Sequence, residues 1–151
     1  VEAMMLRTLA SRSALPVPAV LHDEPDLLII EYVENDGAHG PGVERHAAEL
    51  LAALHAVQGP AFGFDTDTGL GTDTLIGPLR QPCPPTPRWV EFFPAHRLGH
   101  FGDLALGRRA ISASCRERIG RLADRLGEVP SEPDHPSLPH GDAWSGNTPV
   151  S

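Results

Sequence analysis

The sequence predicts an α+β fold with its strands gathered towards the N-terminal end, and three observations carry that expectation. Residues 18–33, "PAVLHDEPDLLIIEYV", read as two short strands, about 19–22 and 27–33, joined by an Asp/Glu/Pro turn at 23–26. Two later segments carry apolar stripes at helical spacing. One places Ala47, Leu50, Leu51, Leu54 and Val57 on a single face, and the other Ile111, Cys115, Ile119, Leu122 and Leu126. The order is a helix, a strand pair, a linker and then mostly helices, which is the segregated pattern of α+β chains.

The elements follow in turn. "VEAMMLRTLASRS" has Ala3, Leu6, Leu9 and Ala10 at helical spacing and predicts an opening amphipathic helix. Pro16 and Pro18 force extension after it. "ENDGAHGPG" is a Gly/Asn/Asp linker, and Gly59-Pro60 ends the helix that follows. Residues 60–88 read mostly as loop, with "TDT" duplicated at 66–68 and 72–74. "RWVEFFPAHRL" is helix-like, but Pro94 falls inside it and is expected to kink or restart the helix. "GEVPSEPDHPS" is a Pro-rich connector into "LPHGDAWSGN", residues 138–147.

Composition narrows the function classes. A chain of 151 residues is long enough for one domain with its own core, or for most of one lobe of a larger protein. Net charge is −8 and pI about 5.4, which speaks against nucleic acid as a partner. The longest strongly apolar run, "LLII" at 27–30, is far too short for a bilayer, and the chain opens on no basic-then-apolar stretch. The expectation is a cytoplasmic protein with no membrane partner. Cys83 and Cys115 lack metal-type spacing and read as reduced thiols. All 12 basic residues are arginine, so a mechanism that needs lysine cannot be completed within this chain.

His140, Asp142 and Asn147 carry the chemistry. In His140-Gly141-Asp142-x4-Asn147, the aspartate and the asparagine are five apart. That is the spacing of a kinase-type catalytic loop, where aspartate takes the proton of the attacking hydroxyl and asparagine holds magnesium. Phosphoryl transfer needs mainly positioning and charge neutralisation, and a tight loop brings both groups to one side. The bland alternative is a Gly-rich turn whose Asx side chains cap backbone groups.

The fuller string "HGDAWSGN" resembles the fructosamine (ketosamine) kinase family, which is similar in fold to aminoglycoside phosphotransferases and protein kinases. "EAMMLRTLA", "LLIIEYV", "LAALHAVQGPAFGF", "LIGPLRQP" and "RWVEFFPAHRL" look like further family segments in the expected order. The resemblance covers nearly all of the chain. It implies an incomplete protein-kinase-like two-lobe fold, with an N-lobe remnant at 1–33 and a partial helical C-lobe at 34–151. It implies an ATP- and magnesium-dependent transfer to a hydroxyl of a protein-bound or small-molecule ketoamine, a deglycation chemistry. Asp142 would be the general base and Asn147 the magnesium ligand. Glu31, Tyr32 and Val33 would form the hinge that meets adenine, and Glu2 would stand where the family has its ion-pairing glutamate. Trp144 would stack on the sugar, and His140 would brace the loop.

The family's glycine-rich loop and phosphate-contacting lysine are not among these 151 residues, nor is its second metal-binding aspartate. The chain therefore reads as truncated at both ends and inactive by itself. Two alternatives stand beside the kinase: a non-catalytic kinase-fold remnant that binds a ligand or dimerises, and a related aminoglycoside or other small-molecule kinase. A strand pair that has lost a neighbour has an open edge, which predicts a homodimer or aggregate built on residues 19–33.

Other constellations are weaker. His96 and His100 are four apart, but no glutamate completes a zinc pattern and Gly99 interrupts the helix between them. Asp65, Asp67 and Asp73 fail as a calcium loop, because the twelfth position is Ile76. His55 and Trp89 read as packing residues.

Overall fold

The structure is a computed structural model that describes residues 1–35, 37, 40–64, 73–128 and 132–149. The chain forms two compact units, Val1–Gln58 with Ser137–Ser151, and Gly59–Pro136. Parts of the 34–42 linker, Asp65, Asp67 and most of the "TDT" duplication lie outside the described residues.

In the first unit, α1 (Glu2–Arg12) packs on β1 (Val20–Glu24), which pairs antiparallel with β2 (Leu27–Ile30). Pairs run from Glu24↔Leu27 to Val20↔Ile30, with a bulge between Val20 and His22. The turn falls at Pro25-Asp26, inside the expected 23–26. Ala3 is buried, and Arg7 reaches Asp23 at 2.7 Å to tie α1 to the hairpin. The hairpin leaves Leu21, Leu27, Ile29 and Ile30 exposed. α2 (Pro41–His55) starts on a proline at its first position, where the missing N–H costs nothing. Leu54, on the stripe read from the sequence, is 1% exposed.

The second unit holds a hairpin that the loop reading of 60–88 did not foresee. β3 (Asp73–Ile76) pairs antiparallel with β4 (Leu79–Pro82) across Gly77-Pro78. Each strand has four residues, so neither shows a usable alternation. Gly77 takes φ +54°, the left-handed value a tight two-residue turn needs at its first central position. Asp73 pairs with Arg80 across the strands.

The helical path from Trp89 to Gly107 runs on through Pro94, but its α-helical first part ends at Phe93, so a change of helix type falls at the proline where a kink or restart was expected. Pro94 has no N–H to donate, and its ring crowds the carbonyl one turn back. The chain widens instead: α3 (Trp89–Phe93) passes into a π-helical turn (Pro94–Gly99) and then α4 (His100–Gly107), with the His100 N–H bonded to the Ala95 carbonyl five residues earlier. Glu132 caps the start of α3, its carboxylate accepting from the Trp89 N–H at 2.5 Å and the Val90 N–H at 3.2 Å. α5 (Ala113–Asp124) begins at Ser112, whose hydroxyl accepts from the Cys115 N–H.

The π turn packs against α3, α4, α5 and β4. Arg97 on that turn donates to the Pro82 carbonyl at 2.6 Å and to Cys83 Sγ at 3.1 Å, and lies over the Phe92 ring at 4.6 Å. Cys83, which read only as a reduced thiol, is thus a buried part of the core, 1% exposed, with the buried Thr74 hydroxyl 3.4 Å from its sulfur. Trp89 stacks on Phe93, as a packing residue.

Candidate functional site

The segment that carries Asp142 is pinned to the end of α2. Gln58 and Ser137 form an isolated antiparallel bridge, and the Leu138 N–H donates to the Val57 carbonyl at 3.0 Å. Neither partner was readable in advance, because the two segments lie about eighty residues apart in sequence and share no periodic pattern. Gly141 then takes φ +87°, which an L side chain rarely adopts, and turns the chain into the motif.

Asp142 and Asn147 face each other. Asn147 Nδ2 donates to Asp142 Oδ2 at 2.8 Å and to the Asp142 backbone carbonyl at 3.1 Å. Two further backbone bonds close the bend: Trp144 N–H to Asp142 O at 3.1 Å, and Asn147 N–H to Trp144 O at 2.9 Å. A short 3₁₀ turn (Ser145–Asn147) sets the five-residue spacing at which the two side chains meet. The Thr148 hydroxyl also donates to Trp144 O, at 3.1 Å. His140 Nδ1 accepts from the Asp142 N–H at 3.4 Å, a long bond that places the proton of a neutral ring on Nε2. Asp142, Trp144 and Asn147 are exposed, so their groups stay open to a ligand, while His140 and Thr148 are half-buried.

The pairing leaves each side chain one oxygen without a hydrogen-bond partner among the described residues. Asp142 keeps Oδ1, which can accept a proton, and Asn147 keeps Oδ1, a hard amide oxygen suited to magnesium. Among the described residues no group of three His, Cys, Asp or Glu side chains converges to hold a metal. Magnesium commonly takes only one or two protein ligands beside phosphate oxygens and water, so this single amide oxygen fits such an ion as a partial ligand.

The remaining sequence-derived residues stand elsewhere in the same unit. Glu2 is exposed in the first turn of α1. Glu31 follows β2 and brackets Ala19: its N–H donates to the Ala19 carbonyl at 2.8 Å, and its carboxylate accepts the Ala19 N–H at 3.0 Å. Tyr32 is 83% exposed and Val33 half-buried, and their backbone groups make no hydrogen bond among the described residues. The structure brings together His140, Asp142, Trp144 and Asn147. It records no hydrogen bond from that loop to Glu2 or to Glu31–Val33 among the described residues. The roles of Gly146 and Thr148 in the loop were missed; Gly146 lies under the Trp144 ring.

A helix and hairpin followed by helices, with an Asp/Asn pair on a tight loop, are the arrangement that the kinase-like fold class shares. Comparison with known proteins makes this specific. The fructosamine kinase family model matches residues 1–151, and the chain belongs to that family. It is 35% identical over 159 aligned residues to a probable ketoamine kinase of Synechocystis sp., covering 97% of this chain and 48% of that protein. It is 32% identical to a chloroplastic protein-ribulosamine 3-kinase of Arabidopsis thaliana, over 80% of this chain and 35% of that one. A crystal structure of a candidate fructosamine-3-kinase from Thermobifida fusca superposes with a TM-score of 0.85 at 28% identity, covering 97% of this chain and 48% of that chain. The fold is therefore protein-kinase-like α+β. The chain spans about half the length of the Synechocystis and Thermobifida fusca relatives. Among the described residues no helix is long and apolar enough to cross a membrane.

Proposed function

We propose that this chain is the catalytic-loop segment of an ATP-dependent ketoamine kinase, which phosphorylates a hydroxyl of a sugar-derived ketoamine. The observation that carries the reading is the Asn147 amide bonded to one oxygen of the Asp142 carboxylate, with the second oxygen left open. Asp142 Oδ1 takes the proton of the substrate hydroxyl as its oxygen attacks the γ-phosphorus. The new P–O bond forms while the bond to the ADP oxygen breaks, and the proton rests on Asp142. Asn147 does two things: its Nδ2 fixes the carboxylate, and its Oδ1 would hold magnesium. When bound, that ion supplies charge neutralisation on the phosphates.

In this reading His140 braces Asp142, and Trp144 offers its exposed ring to the sugar. Glu31, Tyr32 and Val33 meet adenine through backbone groups, which the open backbone of Tyr32 and Val33 favours. Residues 1–33 serve as N-lobe and 34–151 as C-lobe, and the enzyme works in the cytoplasm. Glu2 awaits a lysine that this sequence does not contain. A kinase needs that lysine–glutamate pair, and losing a transition-state charge stabiliser costs about a hundredfold or more in rate. The 151-residue chain alone therefore transfers no phosphate.

The test is transfer of labelled phosphate from magnesium–ATP to fructosyl-lysine. The chain alone should show none, and a full-length kinase carrying this segment should show turnover. A full-length protein that binds nucleotide yet phosphorylates no ketoamine would refute the reading.

One observation favours a second reading, a non-catalytic module that self-associates. The β1–β2 hairpin exposes Leu21, Leu27, Ile29 and Ile30 on a two-stranded sheet with open edges, where another chain can pair.

A further inference from the structure

Gly146 is the residue of this loop to which the proposed chemistry gives no role, yet its missing side chain has a defined neighbour. A Cβ built on Gly146 would overlap Cη2, Cζ2 and Cζ3 of Trp144, the benzo edge of the indole. The ring is therefore folded back onto the bare backbone of Gly146, two residues on. It nevertheless remains 60% exposed, so one part of the indole rests on the loop and the rest faces outward. Meanwhile the Trp144 backbone is tied at both ends. Its N–H is bonded to the Asp142 carbonyl, and its carbonyl accepts from the Asn147 N–H and the Thr148 hydroxyl. The ring's root is thus locked to the Asp142–Asn147 pair, and only its two side-chain torsions are left to be fixed. Gly146 fixes them by offering a surface without a side chain.

We propose that Gly146 is a positioning residue for ketoamine recognition: it seats the Trp144 indole so that its open part is held on the loop that carries Asp142, as a platform for the carbon skeleton of the sugar-derived group. The inference rests on the kinase reading of the same loop, with Trp144 against the sugar. Its physical content is a division of labour. A methyl at Gly146 meets the far end of a side chain that can swing, rather than rigid backbone. The φ of Gly146 is not in the left-handed region, since the positive-φ glycines do not include it. Gly146→Ala should therefore displace the ring and leave the Asp142–Asn147 bonds standing. An apolar CH surface on an aromatic face adds modest affinity beyond its buried area, so loss of the seat should weaken binding about three- to tenfold.

The test uses the whole 151-residue chain in a Trp89→Phe background, which leaves Trp144 as the sole tryptophan. Three variants are compared: the parent, Gly146→Ala and Trp144→Ala. Acrylamide quenching of Trp144 fluorescence reads the ring's position without any ligand. Titration with fructosyl-lysine by calorimetry reads affinity, and the side-chain amide resonances of Asn147 read the Asp142–Asn147 pair. In Gly146→Ala, quenching should rise, affinity should fall by the stated factor, and the Asn147 resonances should stay in place. Quenching equal to the parent overturns the seating by Gly146. A displaced ring with unchanged affinity overturns its part in recognition, as does a loss of affinity accompanied by shifted Asn147 resonances. Trp144→Ala with parental affinity, or a parent chain that binds no fructosyl-lysine, instead overturns the underlying sugar-platform reading and takes the recognition role with it.

Discussion

Replacing Arg97 by methionine should loosen the second unit by about 2–3 kcal/mol, and the figure follows from what the guanidinium touches. It donates to the Pro82 carbonyl at 2.6 Å and the His96 carbonyl at 2.9 Å, contacts Cys83 Sγ at 3.1 Å, and lies over Phe92 at 4.6 Å. A hydrogen bond from a charged donor contributes about 1.5–3 kcal/mol net, and a cation over a largely buried aromatic such as Phe92 about 1–2 kcal/mol. Methionine keeps most of the stem's packing, and the freed desolvation of the half-buried guanidinium offsets part of the loss. For a chain of this size each kcal/mol lowers Tm by about 2–4 °C, so the expected fall is about 5–10 °C. Thermal melts followed by circular dichroism read it, with Arg97→Lys falling between parent and methionine. A second readout is independent of stability. Burial first, then the Arg97 charge, holds His96 below its ordinary pKa, so Arg97→Met should move the His96 titration upward by NMR. A Tm within about 2 °C of the parent, with His96 unmoved, would refute the role given to the guanidinium.

Three further outcomes follow from the same geometry. Gly63 sits at φ +95°, and a Cβ there would approach the Cys83 and Pro84 carbonyl oxygens at 2.7 and 2.5 Å. Gly63→Ala should therefore cost about 3 kcal/mol or more by chemical denaturation, and a loss below about 1 kcal/mol would contradict it. Because His96 titrates low when folded, the unfolded chain binds the extra proton first; stability contributed above pH 6.5 is lost as pH falls from there through the folded value. Replacing His96 by glutamine should flatten that part of the Tm-against-pH curve, and an unchanged slope would count against it. The apolar β1–β2 hairpin should draw the chain into dimers or larger species, which Leu21→Lys with Ile29→Lys should dissolve. A parent chain that stays monomeric in light scattering at high concentration would rule this out.

The legible part of the molecule is the part written in local pattern. The stripe through Leu50, Leu51 and Leu54 and the turn at Pro25-Asp26 appear where periodicity and turn chemistry put them, within the usual drift of element ends. The Asp142–Asn147 pair was legible because five residues are enough to close a bend around one glycine. What escaped depended on partners distant in sequence or on strands too short to alternate. The β3–β4 hairpin is four residues on each side, and its Gly77-Pro78 turn looks like any loop. Pro94 was legible as a boundary, but the π turn that carries the path past it packs against α3, α4, α5 and β4, which no local pattern shows. Cys83 became a core residue only because Arg97 and Thr74 reach it from other elements. Gly146 carried no sequence signal, since its significance lies in a ring two residues away.

The central claim is that the open oxygen of Asp142 receives the proton of a ketoamine hydroxyl during phosphoryl transfer. The most direct measurement compares kcat of a full-length kinase carrying this segment with its Asp142→Asn variant, on fructosyl-lysine and magnesium–ATP, after matched folding is shown by circular dichroism. The variant keeps an acceptor oxygen for Asn147 but no base, so kcat should drop by about a hundredfold to ten-thousandfold with little change in ATP affinity. Parental kcat in Asp142→Asn would contradict the account.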